Sequence, residues 1–436
     1  MSIHDEHDTV RRPGSDDIEA SLPEKSPVQE QSATEFERPE GGWAAWSTVI
    51  GAWLFMFATF GYTNAFGVFQ SYYTVSKYPT KSSSDVAWIG SLQTFLQFGM
   101  GAIAGPLFDR GYFYQLTIVG SAVFLVCFFT MSLANQFWET FLSQGVGLGI
   151  GIGLIFLPAL GVVSQYFKKR LGIATGFVTT GSSIGGICIP IMLNNLIVSH
   201  GFEKAVQYTG CLLAGCLVLA MVLIRPFGGV RARKDAIKAN PREFLKDPVF
   251  VLCIVGIFFG TWGIFFPVFY LQYFAVRSGA SDNLVFYILA IFNAGSVVGR
   301  TLPNFAADYF GSFNLLAIMC ISSAAMIFAL FGANDTGGLI AVAVLLGVST
   351  GAFVSLMGPC VMSTAKDQSE IGARMGVCFL LMSVAALTGA PVAGALVDKY
   401  QFSAGIIWCG VLLILAAGLI ACAALITTRR KGTWKV

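Results

Sequence analysis

The stretch from Trp46 to Phe69 reads WSTVIGAWLFMFATFGYTNAFGVF and contains no charged residue. A helix needs about 20 mostly apolar residues to cross the hydrocarbon core of a bilayer. A run of 24 residues of this composition therefore predicts a membrane-spanning helix rather than a core helix of a soluble domain.

Further apolar stretches of similar length follow, separated by charged residues or by clusters of Gly, Pro and Asn. Five of them precede a charged segment between Arg225 and Asp247, and six come after it. They cover residues 86–107, 113–134, 140–163, 171–197, 206–224, 249–274, 284–306, 312–332, 337–362, 373–397 and 403–426. The sequence therefore predicts an all-α membrane protein with twelve transmembrane helices in two groups of six.

The composition supports a membrane protein and excludes several classes of function. Of the 436 residues, 55% are hydrophobic and only 12% are charged, whereas about 25% are charged in an ordinary soluble domain. Three histidines are too few for a His-based metal site or a Ser-His-Asp hydrolase, and the ten cysteines form no CxxC pair. We expect no enzymatic activity, no metal, no cofactor and no nucleic-acid partner.

Charge is unevenly distributed along the chain. Residues 1–42 hold 11 acidic and four basic residues, which predicts a disordered acidic tail. We predict a six-helix bundle over residues 43–225, a central loop over 226–247, a second six-helix bundle over 248–428 and a basic tail over 429–436. Alternating loops carry 18 Lys and Arg residues on the side of both tails and five on the other side, which places both tails and the central loop in the cytoplasm.

The two groups of helices resemble each other at an offset of about 200 residues. The matched pairs are Asp109 with Asp308, Gly149 with Gly347, Gly153 with Gly351 and Arg170 with Arg374. Three separate helices supply these matches in the same order, which indicates an internal duplication. Two six-helix repeats with a binding site between them are typical of secondary transporters.

Four short motifs resemble those of the major facilitator superfamily and, within it, of the fungal branch of the monocarboxylate porter family. They are EGGWAAW at 40–46, NAFGVFQ at 64–70, GPLFDRG at 105–111 and YFKKRLGIATG at 166–176. The resemblance implies the major facilitator fold and transport by alternating access. It also implies that the second helix packs beside the eleventh, and the fifth beside the eighth, across the interface between the halves.

Arg300 is the first candidate for a substrate contact, because it lies inside an apolar stretch and intramembrane charges are rare. A guanidinium can hold a carboxylate or phenolate by two hydrogen bonds. The alternative is an arginine that extends to the cytoplasmic interface or pairs with an acidic residue of a loop. Further candidates are amides in predicted spans, which either line a cavity or join helices. An aromatic residue of the seventh span is another candidate, and it either bounds a pocket or only packs against neighbouring helices. They are Asn64, Gln93, Gln97, Asn293 and Tyr270.

The repeat also predicts a cytoplasmic gate. If the second helix lies beside the eleventh and the eighth beside the fifth, Asp109 meets Arg374 and Asp308 meets Arg170 when the carrier faces outward. We call these the latch pairs. The alternative is that these charges only hold loops in the cytoplasm.

The sequence thus predicts a secondary active transporter of a small or medium organic anion, such as a monocarboxylate or an acidic metabolite. Two alternatives remain: an efflux pump for a fungal secondary metabolite, and a non-transporting nutrient sensor on a transporter fold. We expect a monomer in the plasma membrane. Protons are the candidate coupling ion, although no span holds an Asp or Glu away from its ends.

Overall fold

The structure, a computed structural model, describes residues 40–167, 171–227, 244–333, 335–365 and 371–436. For residues 109, 171, 172, 308, 371 and 372 it describes the backbone only. The predictions for the acidic tail, for most of the central loop and for Arg170 therefore lie outside the described residues, as do the side chains of Asp109 and Asp308.

The described residues form helices joined by short turns, and no β-strand occurs among them. We number the helical rods in chain order. They are α1 (Trp43–Lys77), α2 (83–109), α3 (Phe113–Leu133), α4 (Phe137–Ser164), α5 (171–200), α6 (202–223), α7 (Pro248–Arg277), α8 (Asp282–Phe310), α9 (Ser312–Gly332), α10 (Thr336–Ser363), α11 (371–399) and α12 (402–431).

Within the described residues, nine helical segments are long and apolar enough to cross a membrane. Two of them each contain two rods, because the backbone turns at Gly201 between α5 and α6 and at Gln401 between α11 and α12. The remaining rod is α2, which a turn at Met100 interrupts. The arrangement is consistent with the twelve predicted spans.

The first span is longer than predicted. The uncharged stretch ends near Phe69, but the helix continues to Tyr72 and then through a π-helical turn from Tyr73 to Lys77. The reason lies in a contact with α6, since the Tyr72 ring stacks on Phe202 at 4.6 Å between centroids. A contact between two helices therefore stabilises helical turns that lie beyond the span predicted from hydropathy.

Equivalent contacts in the two halves support the internal duplication. Trp53 on α1 donates from Nε1 to Thr180 Oγ1 on α5 at 3.2 Å. Trp262 on α7 donates from Nε1 to Thr388 Oγ1 on α11 at 2.8 Å. The same indole–hydroxyl hydrogen bond therefore joins the first and fifth helices of each half.

The two halves meet along three pairs of rods. The Phe98 ring on α2 stacks on Phe379 of α11 at 5.9 Å, and Phe66 of α1 contacts Phe269 of α7 at 4.9 Å. The third pair is α5 with α8. The packing of α2 beside α11 and of α5 beside α8, which the family resemblance implied, is confirmed.

Glycine allows α8 and α10 to approach closely. A Cβ added at Gly299 would lie 2.0 Å from the backbone oxygen of Val348, and one added at Gly347 would lie 2.0 Å from that of Phe292. Small residues at such crossings let helix backbones touch inside a membrane. No side chain fits there unless the helices separate.

We therefore expect Gly299→Ala to destabilise the protein by about 1–3 kcal/mol through overpacking. The matched control is Gly418→Ala on α12, because nothing lies within 4 Å of its added Cβ and alanine favours a helix over glycine by up to about 1 kcal/mol. Thermal unfolding in detergent measures the difference. Equal midpoints for the two variants would contradict the close approach.

Candidate functional site

A cavity lies between the two halves, and we call it the central cavity. Helices α1 and α2 line it from the first half, and α7, α8 and α10 line it from the second. Its aromatic walls include Phe60, Phe98, Phe265 and Phe292. Its polar wall includes Asn64, Gln97, Asn293, Ser296, Arg300 and Thr350. The cavity thus combines aromatic surface with one cation and several hydrogen-bonding groups.

Arg300 lines the central cavity and is only 6% exposed. Its Nε donates to Ser296 Oγ at 3.2 Å. Among the described side chains, no carboxylate lies within 4.0 Å of its guanidinium. A buried charge without a partner costs free energy, so this arginine is suited to bind an anion that enters the cavity.

Ser296 connects Arg300 to the other half. Its Oγ also accepts a hydrogen bond from Ser183 Oγ on α5 at 3.2 Å. Both serines are buried. The sequence prediction missed this pair, although Ser296 lies four residues before Arg300 and therefore on the same helix face.

The two asparagines are both anchored to α5. Asn293 donates from Nδ2 to the backbone oxygen of Gly186 at 3.1 Å, across the interface between the halves. Asn64 donates from Nδ2 to the backbone oxygen of Ser182 at 3.2 Å. Both also line the central cavity. These amides therefore join helices and also face the cavity, so both alternatives from the sequence apply.

The two glutamines of α2 have different positions. Gln97 lines the central cavity and accepts from Thr63 Oγ1 at 2.9 Å. Gln93 is fully buried outside the cavity lining and donates from Nε2 to the same Thr63 oxygen at 3.2 Å. Gln93 therefore joins α1 to α2, whereas Gln97 also faces the cavity.

Tyr270 lies outside the lining of the central cavity, near the end of the bundle that carries the turns at 78–82 and 278–281. We call this the distal end, and the opposite end, with Arg225 and Asp247, the connector end. The Tyr270 hydroxyl donates to the backbone oxygen of Ala390 on α11 at 3.0 Å within its own half, and it also contacts the backbone oxygen of Ser83 on α2, in the other half, at 3.5 Å. Tyr270 therefore helps to close the distal end and does not touch the cavity.

Ser84, at the start of α2, adds two more contacts with α11. Its Oγ donates to the backbone oxygen of Pro391 at 2.9 Å, and its backbone N–H donates to Asp398 Oδ2 at 3.2 Å. Together with Tyr270, these residues form what we call the distal seal. The sequence prediction missed Ser84 and Asp398, because each reads as an ordinary residue at a helix end.

Arg374, from the first latch pair, lies at the connector end and is buried. Its guanidinium lies 3.8 Å from Asp247 Oδ2. It also lies over the rings of Phe244 and Phe250, at 4.7 and 4.9 Å from their centroids. Asp247 contacts Arg430 as well, at 3.0 Å. Arg374 is thus attached to the beginning of α7 in its own half.

Comparison with known proteins agrees with this arrangement. The family model described as Major Facilitator Superfamily matches residues 42–368. The chain belongs to this superfamily. A substrate site between two six-helix halves is the arrangement of such transporters, and the central cavity has that position.

Several fungal members of the superfamily are similar over most of their length. An aspyridones efflux protein of Emericella nidulans is 36% identical over 93% of this chain and 84% of its own. An agnestins efflux protein of Paecilomyces divaricatus is 34% identical over 86% of each chain. A fujikurins efflux protein of Gibberella fujikuroi is 37% identical over 83% of this chain and 77% of its own. This chain is therefore a membrane transporter similar to fungal efflux proteins.

If the distal seal holds the distal end shut, removing the Tyr270 hydroxyl should loosen it. A hydrogen bond of this kind contributes about 0.5–1.5 kcal/mol, so Tyr270→Phe should raise the population of the distally open state by about two- to tenfold. Hydrogen–deuterium exchange of the amides of residues 83–90 measures this opening. Tyr208→Phe, at a half-exposed ring on α6, is the control, and equal exchange in the two variants would contradict the seal.

Proposed function

We propose that this protein exports a fungal secondary metabolite and binds it in the central cavity as an amphipathic organic anion. The relatives named as efflux proteins support export over the uptake of a small monocarboxylate. The observation that carries the chemistry is the buried cation of Arg300 on a wall shared with phenylalanines.

The cavity lining suggests how the cargo is held. The guanidinium would take a carboxylate or phenolate by paired hydrogen bonds, and the rings of Phe98 and Phe265 would contact the apolar body of the cargo. Asn64 and Asn293, which line the same cavity, offer further polar contacts. Release would follow when the halves rock and the distal seal opens.

Several finer features belong to the same proposal. We place the chain in the monocarboxylate porter family on the motifs at 40–46 and 166–176. The excess of Lys and Arg supports a cytoplasmic connector end with both tails on that side. A monomer in the plasma membrane and protons as coupling ion complete the proposal.

Transport of dyes into inside-out plasma-membrane vesicles from a yeast host tests export directly. We expect accumulation of the aromatic anion fluorescein and none of the cation rhodamine 6G, compared with vesicles that lack the protein. A run with and without a pH gradient tests proton coupling. Lactate uptake without fluorescein export would overturn the proposal in favour of a monocarboxylate importer, and no flux of either would favour the nutrient sensor.

Arg300→Ala should remove most fluorescein transport while membrane abundance stays normal. Truncating one partner of a buried charge pair costs about 2–5 kcal/mol, which corresponds to a loss of at least about 30-fold. Arg300→Lys should recover little, because an ammonium cannot reproduce two parallel hydrogen bonds. Arg277→Ala, at an exposed position of the distal end, controls for loss of charge. Unchanged flux in Arg300→Ala would end the anion-binding role.

We also propose that the latch pairs close the connector end. Each pair would be partly hydrated and worth about 0–1 kcal/mol, enough to bias two conformations. Asp109→Asn should then favour the state open at the connector end, by up to about fivefold. Asp247→Asn should act in the opposite direction, because Asp247 holds Arg374 within its own half. Labelling of introduced cysteines from each side of the membrane measures both, and identical labelling in the two variants would exclude the latch.

A further inference from the structure

The hydroxyl of Ser296 is fully engaged as an acceptor. A serine hydroxyl has two acceptor positions and one proton to donate. Ser183 Oγ and Arg300 Nε occupy the two acceptor positions, each at 3.2 Å. Ser296 also lines the central cavity, so its own O–H remains to donate to a molecule bound there.

The same contact orients Arg300. With Nε held by Ser296, the guanidinium cannot rotate freely, and its two terminal nitrogens have no acceptor among the described residues. These nitrogens form the edge that binds a group with two acceptor oxygens. Ser296 therefore determines which edge of the arginine is available.

Helices α5 and α10 restrict the position of the Ser296 hydroxyl. A Cβ added at Gly351 on α10 would lie 2.7 Å from Ser296 Oγ, so the serine hydroxyl packs directly against that helix. Ser183 reaches Ser296 from the other half. The serine pair thus exists only while α5 and α8 are in contact.

The charge of the cavity follows from its lining. Arg300 is the only charged residue among the described residues that line it. Without a carboxylate beside it, the arginine keeps a full positive charge in a largely apolar space, which is unfavourable until an anion arrives. A neutral molecule of the same shape cannot relieve that cost.

We propose that Ser296 is the positioning residue that makes the central cavity selective for anions. Held by Ser183, it directs the two terminal nitrogens of Arg300 and its own O–H toward an anionic group with two or more acceptor oxygens, and it leaves the charge of Arg300 for the cargo to neutralise. This inference rests on the proposed function, since it specifies how the proposed cargo is recognised.

The test compares Ser296→Asp with Ser296→Asn in the full-length protein purified in detergent. The two side chains have the same size, but only the aspartate gives Arg300 a counter-ion. The probes are 1-naphthalenesulfonate, which stays charged over the working pH range, and the neutral 1-naphthalenesulfonamide. Binding of each is measured by thermal shift.

We expect the unsubstituted protein to bind the sulfonate at least about tenfold more tightly than the sulfonamide. Ser296→Asn should keep this preference, whereas Ser296→Asp should lose it at neutral pH. The loss in Ser296→Asp should be a loss of sulfonate affinity, with sulfonamide affinity unchanged, because the aspartate only neutralises the charge that the sulfonate would otherwise pair with. A purely structural role for position 296 would change the affinities for both probes alike.

A second variant covers the case in which neither of these folds. Ser183→Ala removes only the donor from α5 and should weaken sulfonate binding by about three- to tenfold, with the sulfonamide unchanged. Ser355→Ala, whose hydroxyl bonds only within α10, is the control. If Ser183→Ala matches this control, the inference is overturned.

The outcomes also separate this inference from the proposed function. Equal sulfonate affinity and equal preference in Ser296→Asp and Ser296→Asn would overturn the positioning role, while fluorescein export would still stand. If the unsubstituted protein binds neither naphthalene probe and exports no fluorescein, both proposals fail together.

Discussion

A chain that crosses a bilayer must satisfy its backbone N–H and C=O groups within the protein, because hydrocarbon offers no hydrogen-bond partner. This constraint explains why the described residues form helices joined by short turns. It also explains the role of glycine between the helices, since rods that cannot bend far must approach closely to exclude empty space. At Gly299 and Gly347 of the α8–α10 crossing, backbone meets backbone.

The same constraint governs the polar residues. Each side-chain amide in the bundle needs a partner, and α5 supplies several of them. Its backbone oxygens at Ser182 and Gly186 accept from Asn64 and Asn293, and its Ser183 hydroxyl donates to Ser296. Helix α5 therefore serves as a shared support for polar residues from both halves.

Arg300 is the exception to this pairing of polar side chains, and it supplies the charge of the central cavity. The amides around it are paired, but its charge has no counter-ion among the described residues. The distal seal is built differently, from single hydrogen bonds of hydroxyl and backbone groups, one of them to the Asp398 carboxylate, that can separate at moderate cost. A costly charge in the centre and weak contacts at the end suit a protein that must hold a cargo and then release it.

Much of this protein could be predicted from local sequence. Hydropathy and charge along the chain predict the all-helical class, the division into two groups of helices and the unusual position of Arg300. They do so because the bilayer sets the length of each apolar span and makes a charge inside it costly. The packing of α2 with α11 and of α5 with α8 followed from the family resemblance. The latch pairs stay a prediction, since the side chains of Asp109 and Asp308 and all of Arg170 lie outside the described residues.

What only the tertiary structure decided is where each polar side chain points relative to the other half. Gln93 and Gln97 share a helix face, yet only Gln97 reaches the central cavity. Tyr270 contacts α2 of the other half at the distal end instead of lining a pocket, and Ser296 meets Ser183 across 113 residues of chain. Helical periodicity gives the face on which a residue lies. Which partner that face meets depends on how two distant helices cross, and the sequence of a single helix does not contain that information.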